Sequence, residues 1–326
     1  MKRREFMILS VSVVVVRPGS SMAQSTPPPV VGFLNSGSPV ARARSYAAFR
    51  AGLAEAGFVE ARNVSIEQRW ADGDYAKLPE MASELVRRQV AVILAGGPPA
   101  PEAAKAATTT IPIVFTNGSD PVASGRVASL ARPGGNITGF TLLSWDLLGK
   151  NLDLLRQLAP NAELFAVLIN RANRGANEVS RRTQDAARRM GKRLLVLEAS
   201  TPAEIDAAYA SAARQGAGGM VNGGDPFLES RYRQITALAA KFAMPTITID
   251  RRFPDEGGLM SHGANIPDTY RQAGGYVGRI FKGAKPTDLP VQQPTRFEFV
   301  LNLKSANALG LAIPTSFLAQ ADEVIE

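Results

Sequence analysis

From residue 30 onward the chain alternates between short apolar runs rich in β-branched residues and Ala-rich stretches with helical spacing, separated by turns of Gly, Asn, Ser or Pro. The alternation predicts strands over 30–34, 64–70, 91–95 and 113–116, and then over 164–169, 194–197, 219–221 and 246–249. Helices are predicted near 39–56, 75–88, 99–107, 146–158, 176–190, 202–214, 229–242 and 267–281. Repeated strand–helix–strand units close their hydrogen bonds as parallel sheets with helices packed on their faces, so the fold class is α/β. Helix starts are marked in the same way. Thr201-Pro202-Ala203-Glu204 reads as a capping box with proline at the first helical position, and Ser38-Pro39 and Asp225-Pro226 repeat the cap-then-proline signal.

The rhythm breaks at 132–136, at 257–261 and at 286–294, and apolar β-like runs over 137–143 and 297–303 follow the first and last breaks. An eight-unit barrel requires a regular rhythm throughout. Three interruptions suit a chain that passes three times between two lobes, each with its own sheet.

With 326 residues, 45% hydrophobic and 20% charged, the chain has material for two packed lobes and is neither disordered nor fibrous. Without cysteine it has no disulfide framework, no thiol nucleophile and no thiol for a lipid anchor, and its single histidine, His262, excludes a multi-histidine metal centre. His262 beside glycine reads as a packing or surface residue.

Lys2, Arg3 and Arg4 precede an apolar run over 6–16, and Ser21-Met22-Ala23 supplies small residues for cleavage, so residues 1–23 read as an export signal. The run is too short to cross a hydrocarbon core roughly 30 Å thick. Arg3-Arg4-Glu5-Phe6-Met7 is also compatible with the twin-arginine route, and the general route remains open beside it. Removal of the leader lowers the formal net charge of +8 to about +5, a mild excess. The expected mature chain is soluble and periplasmic, with a flexible arm over 24–29. The arginines of the helix near 176–190 form a solvated basic face. No aromatic interleaving points to nucleic acid.

In open parallel sheets, ligands bind beyond the carboxyl ends of the strands, where helix N-termini offer free N–H groups. The turns there are small and polar: Asn35-Ser36-Gly37-Ser38, Gly96-Gly97-Pro98-Pro99, Asn117-Gly118-Ser119-Asp120-Pro121, Asn170-Arg171-Ala172-Asn173, Asn222-Gly223-Gly224-Asp225-Pro226 and Asp250-Arg251-Arg252. Two of them share the pattern Asn-Gly-x-Asp-Pro. Each places an aspartate at a helix start, where it either caps the helix or holds a ligand ammonium group. No nucleophile elbow, Walker motif or dinucleotide fingerprint is present, and no set of residues assembles a nucleophile, a base and an oxyanion hole. An enzyme is therefore not expected, and neither is a cofactor or a metal.

Several segments carry a family resemblance: Val31-Gly32-Phe33-Leu34-Asn35-Ser36-Gly37-Ser38, Leu85-Val86-Arg87-Arg88-Gln89-Val90, Ile111-Pro112-Ile113-Val114-Phe115, Leu130-Ala131-Arg132-Pro133-Gly134-Gly135-Asn136-Ile137-Thr138-Gly139, Tyr270-Arg271-Gln272-Ala273-Gly274 and Ala321-Asp322-Glu323-Val324-Ile325-Glu326. In this order they resemble, over essentially the whole chain, the substrate-binding proteins of ABC transporters in the group labelled tryptophan/tyrosine transport-system components. The resemblance implies the type I periplasmic-binding fold: two Rossmann-like lobes with parallel sheets flanked by helices, joined by three crossover segments. The expected first lobe comprises 30–142 and 262–290, the second 143–261 and 291–326.

Carried over by position, the resemblance puts Asn35, Ser36, Ser38, Gly97, Ser119 and Asp120 on the first wall of an interlobe cleft, and Asn170, Asp225 and Asp250 on the second. Tyr270 either offers its ring or hydroxyl to the cleft or serves as a core aromatic. The implied ligand is a small polar solute, an amino acid or other carboxylate, gripped by hinge closure. The implied partners of the monomer are an inner-membrane permease and its ATPase. A sensor serving a membrane receptor and a secreted α/β enzyme are the alternative readings.

Overall fold

The computed structural model describes residues 27–326. The expected export signal over 1–23 and the start of the arm lie outside the described residues.

The first lobe begins β1 (Val30–Asn35), α1 (Ala43–Glu55), β2 (Ser65–Trp70), α2 (Leu78–Arg87), β3 (Val92–Gly96), α3 (Ala100–Ala107), β4 (Ile113–Asn117) and β5 (Ile137–Thr141). The chain then enters the second lobe with α4 (Leu148–Leu158), β6 (Leu164–Ile169), α5 (Ala176–Arg189), β7 (Arg193–Glu198), α6 (Pro202–Arg214) and β8 (Met220–Asn222). There follow α7 (Pro226–Glu229), α8 (Tyr232–Lys241), β9 (Thr246–Thr248), α9 (Arg252–Asp255) and β10 (Met260–Ala264). Helix α10 (Ile266–Phe281) returns to the first lobe, and β11 (Phe297–Asn302), α11 (Leu303–Ala308), α12 (Thr315–Leu318) and β12 (Glu323–Ile325) complete the second.

The first sheet has five strands in the order β2-β1-β3-β4-β5, all parallel. The second has seven in the order β12-β11-β10-β9-β8-β6-β7. Its one antiparallel pair, β10 with β11, joins two strands that the chain reaches from opposite directions after its excursion into the first lobe. Each sheet is apolar on both faces. Val92 and Leu94 of β3 point into the core shared with α1 and α10, whereas Ile93 and Ala95 point into the core under α2 and α3. In β6, Phe165 and Val167 likewise face one core and Ala166 and Leu168 the other. Such double burial is what helices on both faces require, and it explains the near-continuous apolar strands.

Two expected boundaries move. His262 to Ala264 belong to β10, where His262 pairs with Phe299, so the return to the first lobe falls after Ala264 and not before His262. Val291 packs in the first-lobe core and the Gln292 N–H donates to the Gly139 carbonyl, so the last passage follows these residues. The breaks at 132–136 and 257–261 therefore lie one strand ahead of the passages they announce. The helix expected near 39–56 starts at Ala43, because Ser38 Oγ caps a separate turn through Ala41 N–H. The basic helix α5 is partly neutralised, with Arg181 on Glu178 and Asp185, Arg182 on Glu178 and on Asp146 from outside the helix, and Arg188 on Asp185. None of the helices among the described residues is long and apolar enough to cross a membrane.

His262 sits half-buried between Phe297 and Phe299, its Nδ1 2.8 Å from Oδ1 of the buried Asn151. Burial, together with the charge of Lys150, pushes its imidazole below the ordinary value of 6.5. The native state thus refuses a proton that the unfolded chain accepts below that value, and stability present above it is lost as the pH falls. Urea midpoints should fall between about pH 7.5 and pH 5.5 in the wild type, and less so in His262→Gln. Equal slopes in the two proteins would remove His262 from this account.

Candidate functional site

The carboxyl ends of both sheets face each other across a seam, and the glycine-rich turns allow the lobes to touch there. Gly97, at φ +83°, is so close to the second lobe that a Cβ would lie 3.2 Å from Pro226 Cγ. A Cβ on Gly73, at φ +81°, would lie 3.0 Å from Phe227 Cβ. Asparagine side chains organise the turns behind this contact. Asn35 Oδ1 accepts from Gly37 N–H, and its Nδ2 donates to the Tyr270 hydroxyl at 2.8 Å. Tyr270 is a buried member of the aromatic core beside Phe33, so it supports the turn from beneath and does not reach the cleft. Ser36 is fully buried, with its N–H on the Gly96 carbonyl.

The two Asn-Gly-x-Asp-Pro segments fold alike. Asn117 Oδ1 accepts from Ser119 N–H, and Asn222 Oδ1 accepts from Gly224 N–H. Asp120 Oδ1 accepts from Val122 and Ala123 N–H, and Asp225 Oδ1 from Phe227 and Leu228 N–H. Their surroundings differ. Asp120 remains partly exposed on the cleft wall, whereas Asp225 is buried and also receives Asn170 Nδ2 at 2.9 Å, Asn173 Nδ2 at 2.8 Å and the Tyr75 hydroxyl at 2.7 Å. Burial pushes the Asp225 carboxyl above its ordinary value, while the donors from Asn170, Tyr75 and Asn173 pull it back. In this arrangement both Asp225 oxygens face protein donors.

Asp250, the other second-wall aspartate, accepts from Arg252 N–H and Arg252 Nε and lies 3.7 Å from Arg42 Nη1. Arg42 crosses the seam to pair with Glu229 at the end of α7. Burial works against the Arg42 charge, but Glu229, Tyr270 and Asp250 outweigh it and hold the guanidinium above its ordinary value. Ser38 borders a smaller groove of about 670 Å³ on this side, with Arg44 and Glu229.

Beside the seam opens a cleft of about 1330 Å³ walled by both lobes. Of the residues expected from the sequence, Ser119 and Asp120 line it, and the others form the seam and its backing. Its aromatic surfaces are Tyr75, Trp145 and Phe227. Trp145, in the first passage between lobes, rests on the backbone of Gly175, where a Cβ would come within 2.4 Å of the ring. Charges of both signs line the cleft, including Arg126, Arg174 and Arg182 with Glu102, Asp120 and Glu178. Arg126 is buried over the Phe115 ring, paired with Glu102 and in hydrogen-bond contact with Ser119. Among the described residues no group of three or more His, Asp and Glu side chains is placed to hold a metal ion.

Tyr75 and Trp145 follow β2 and β5 on the same edge as the expected residues, and the strand-end rule reaches them once those two strands are included. Arg42 carries no such signal, because it precedes a helix within a turn and finds its partners only across the seam.

The family profile described as ABC transporter substrate binding protein matches residues 36–325. A protein named Tyrosine-binding protein, from Clostridioides difficile strain R20291, is 26% identical over 264 residues, 79% of this chain and 74% of its own length. The ABC domain in complex with L-Trp from Streptococcus pneumonia superposes with a TM-score of 0.82 at 24% identity, over 91% of this chain and 100% of that one. A ligand-free, open substrate binding protein with adhesive properties from Clostridium difficile gives 0.65 at the same 24%, over 91% and 99%. The architecture of two α/β lobes is that of the type I periplasmic-binding fold.

Proposed function

The chain belongs to the ABC transporter substrate binding protein family, and we propose that it captures an aromatic amino acid in the interlobe cleft by hinge closure and delivers it unaltered to a membrane permease. The observation that carries the ligand class is the composition of the cleft wall. The Trp145, Tyr75 and Phe227 rings lie beside arginines and carboxylates, a set that suits a flat apolar side chain on a zwitterionic backbone. The cleft exceeds the roughly 300–1,000 Å³ usual for small-molecule pockets and leaves room for a bulky ring. The names of the tyrosine-binding relative and the tryptophan complex support the same class. In this reading Ser119 and Asp120 contact the ligand. Asn35, Ser36, Ser38, Gly97, Asn170, Asp225, Asp250 and Tyr270 shape the two walls that meet when the lobes close.

Closure is supported by the contacts across the seam and by the better superposition on the tryptophan complex than on the open, ligand-free relative. A ligand that touches both walls shifts the open–closed equilibrium by its differential affinity for the two states. A periplasmic location belongs to this proposal, in keeping with the leader read from the sequence.

Thermal unfolding of the purified chain with L-tryptophan, L-tyrosine and L-phenylalanine tests the proposal. A ligand at about one hundred times its Kd stabilises the native state by about 2.7 kcal/mol, which is easily read as a rise in Tm. At least one of the three should produce it. A shift with sugars alone, or with no amino acid, would overturn the ligand class.

A further inference from the structure

The second-lobe acidic groups that the sequence offers to a ligand are engaged instead by side chains of the first lobe. Glu229, Asp250 and Arg252 form one buried cluster: Arg252 Nε is 3.1 Å from Asp250 Oδ2, and Arg252 Nη2 donates to the Glu229 carbonyl at 3.2 Å. Arg252 is shared with Glu256 at 3.8 Å on the outer side, so the buried Glu229 and Asp250 carboxylates need a further cation, which Arg42 from the first lobe supplies. Nearer the cleft, the Tyr75 hydroxyl donates to Asp225 at 2.7 Å and accepts from Phe227 N–H at 3.2 Å. At the outer rim Arg44 pairs with Asp255 at 2.7 Å, but Arg44 is exposed and such a pair contributes little. The inner contacts are a different matter. They are shielded from water while the lobes are together, so the charged and hydroxyl groups attract one another without competition from solvent, an attraction that weakens once the parted lobes admit water.

We infer that Arg42 and Tyr75 are closure-determining residues, first-lobe groups that latch onto Glu229, Asp250 and Asp225 when the lobes meet and keep the closed form populated without ligand. This rests on the hinge-closure reading given above. Neither residue needs to touch the ligand to change its affinity, because apparent affinity scales with the fraction of molecules in the binding-competent state. The latch also fixes how the lobes meet. The Arg42 guanidinium must lie between two carboxylates contributed by α7 and by the turn after β9.

X-ray scattering of the purified chain and of Arg42→Met, Arg42→Lys and Tyr75→Phe, each without and with L-tryptophan, tests the latch. Without ligand, Arg42→Met and Tyr75→Phe should be more extended than the wild type, and Arg42→Lys should recover part of the compaction. Where L-tryptophan binds, its Kd should rise about tenfold in Arg42→Met and less in Tyr75→Phe. Tyr75→Phe removes one oxygen atom, so it keeps the test decisive if Arg42→Met fails to fold. Variants that scatter like the wild type without ligand would overturn the latch, even where L-tryptophan binds normally. More extended variants in a protein that L-tryptophan leaves unchanged would support the latch and count against the ligand class.

Discussion

Replacing Gly274 with alanine is expected to destabilise the first lobe by about 3 kcal/mol, and replacing it with leucine by more, because no side chain fits between α1 and α10. A Cβ at Gly274 would lie 2.3 Å from the Phe49 carbonyl oxygen and 2.6 Å from Leu53 N, and one at Gly52 would lie 1.8 Å from the Arg271 carbonyl oxygen. These neighbours are backbone atoms within helices, so they yield only if the two helices separate. Separation would loosen the core formed by Phe49, Leu53, Tyr270, Ala273 and Val277, and with it the Tyr270–Asn35 contact behind the seam. The adjacent Gly275 is the control. Nothing lies within 4 Å of its Cβ position. Gly275→Ala should therefore stabilise by about 0.5–1 kcal/mol, through helix propensity and a less flexible unfolded chain. Urea midpoints read both effects, and an unchanged midpoint for Gly274→Ala would refute the close approach of the two helices.

The second large effect is expected at Asp225. Asp225→Ala removes the cap of α7, worth about 1 kcal/mol, and leaves the buried Asn170 and Asn173 amides without an acceptor, at about 1–3 kcal/mol. A total loss of about 2–4 kcal/mol should appear in the urea midpoint, without any ligand present. Aromatic amino acid affinity should fall as well, because Tyr75 loses the carboxylate it meets on closure. A variant with wild-type stability and greatly weakened affinity would instead return Asp225 to direct ligand contact. The two outcomes separate a residue that builds the wall from one that touches what the wall encloses.

The rhythm of both lobes was legible because each strand and helix carries its own period. Val92 to Gly96 is apolar at every position, and the Asp225-Pro226 and Thr201-Pro202 signals stand where α7 and α6 begin. What escaped was short or non-local. Strand β10 holds five residues with a glycine and a histidine among them, too few for a period, and its place depends on pairing with β11 from beyond an entire helix. The helix expected over 229–242 is divided between α7 and α8, because the chain turns at Ser230 and Arg231 after Asp225 has tied down the first turn. The Asn-Gly-x-Asp-Pro repeat gave the correct local geometry twice and left the environments of Asp120 and Asp225 undecided.

The sequence by itself determined the α/β class, the double-faced strands, the small polar turns at their carboxyl ends and the family resemblance, because periodicity, capping and turn chemistry act within a few residues. The tertiary structure alone decided what each charged side chain meets. Arg42 is 187 positions from Glu229, and Tyr75 is 150 positions from Asp225. Gly274 likewise looks like a weak point in a helix until α1 is laid against it. Contacts over such separations are fixed by how distant segments come together, within the first lobe for Gly274 and between the lobes for Arg42 and Tyr75, and no local pattern encodes that geometry.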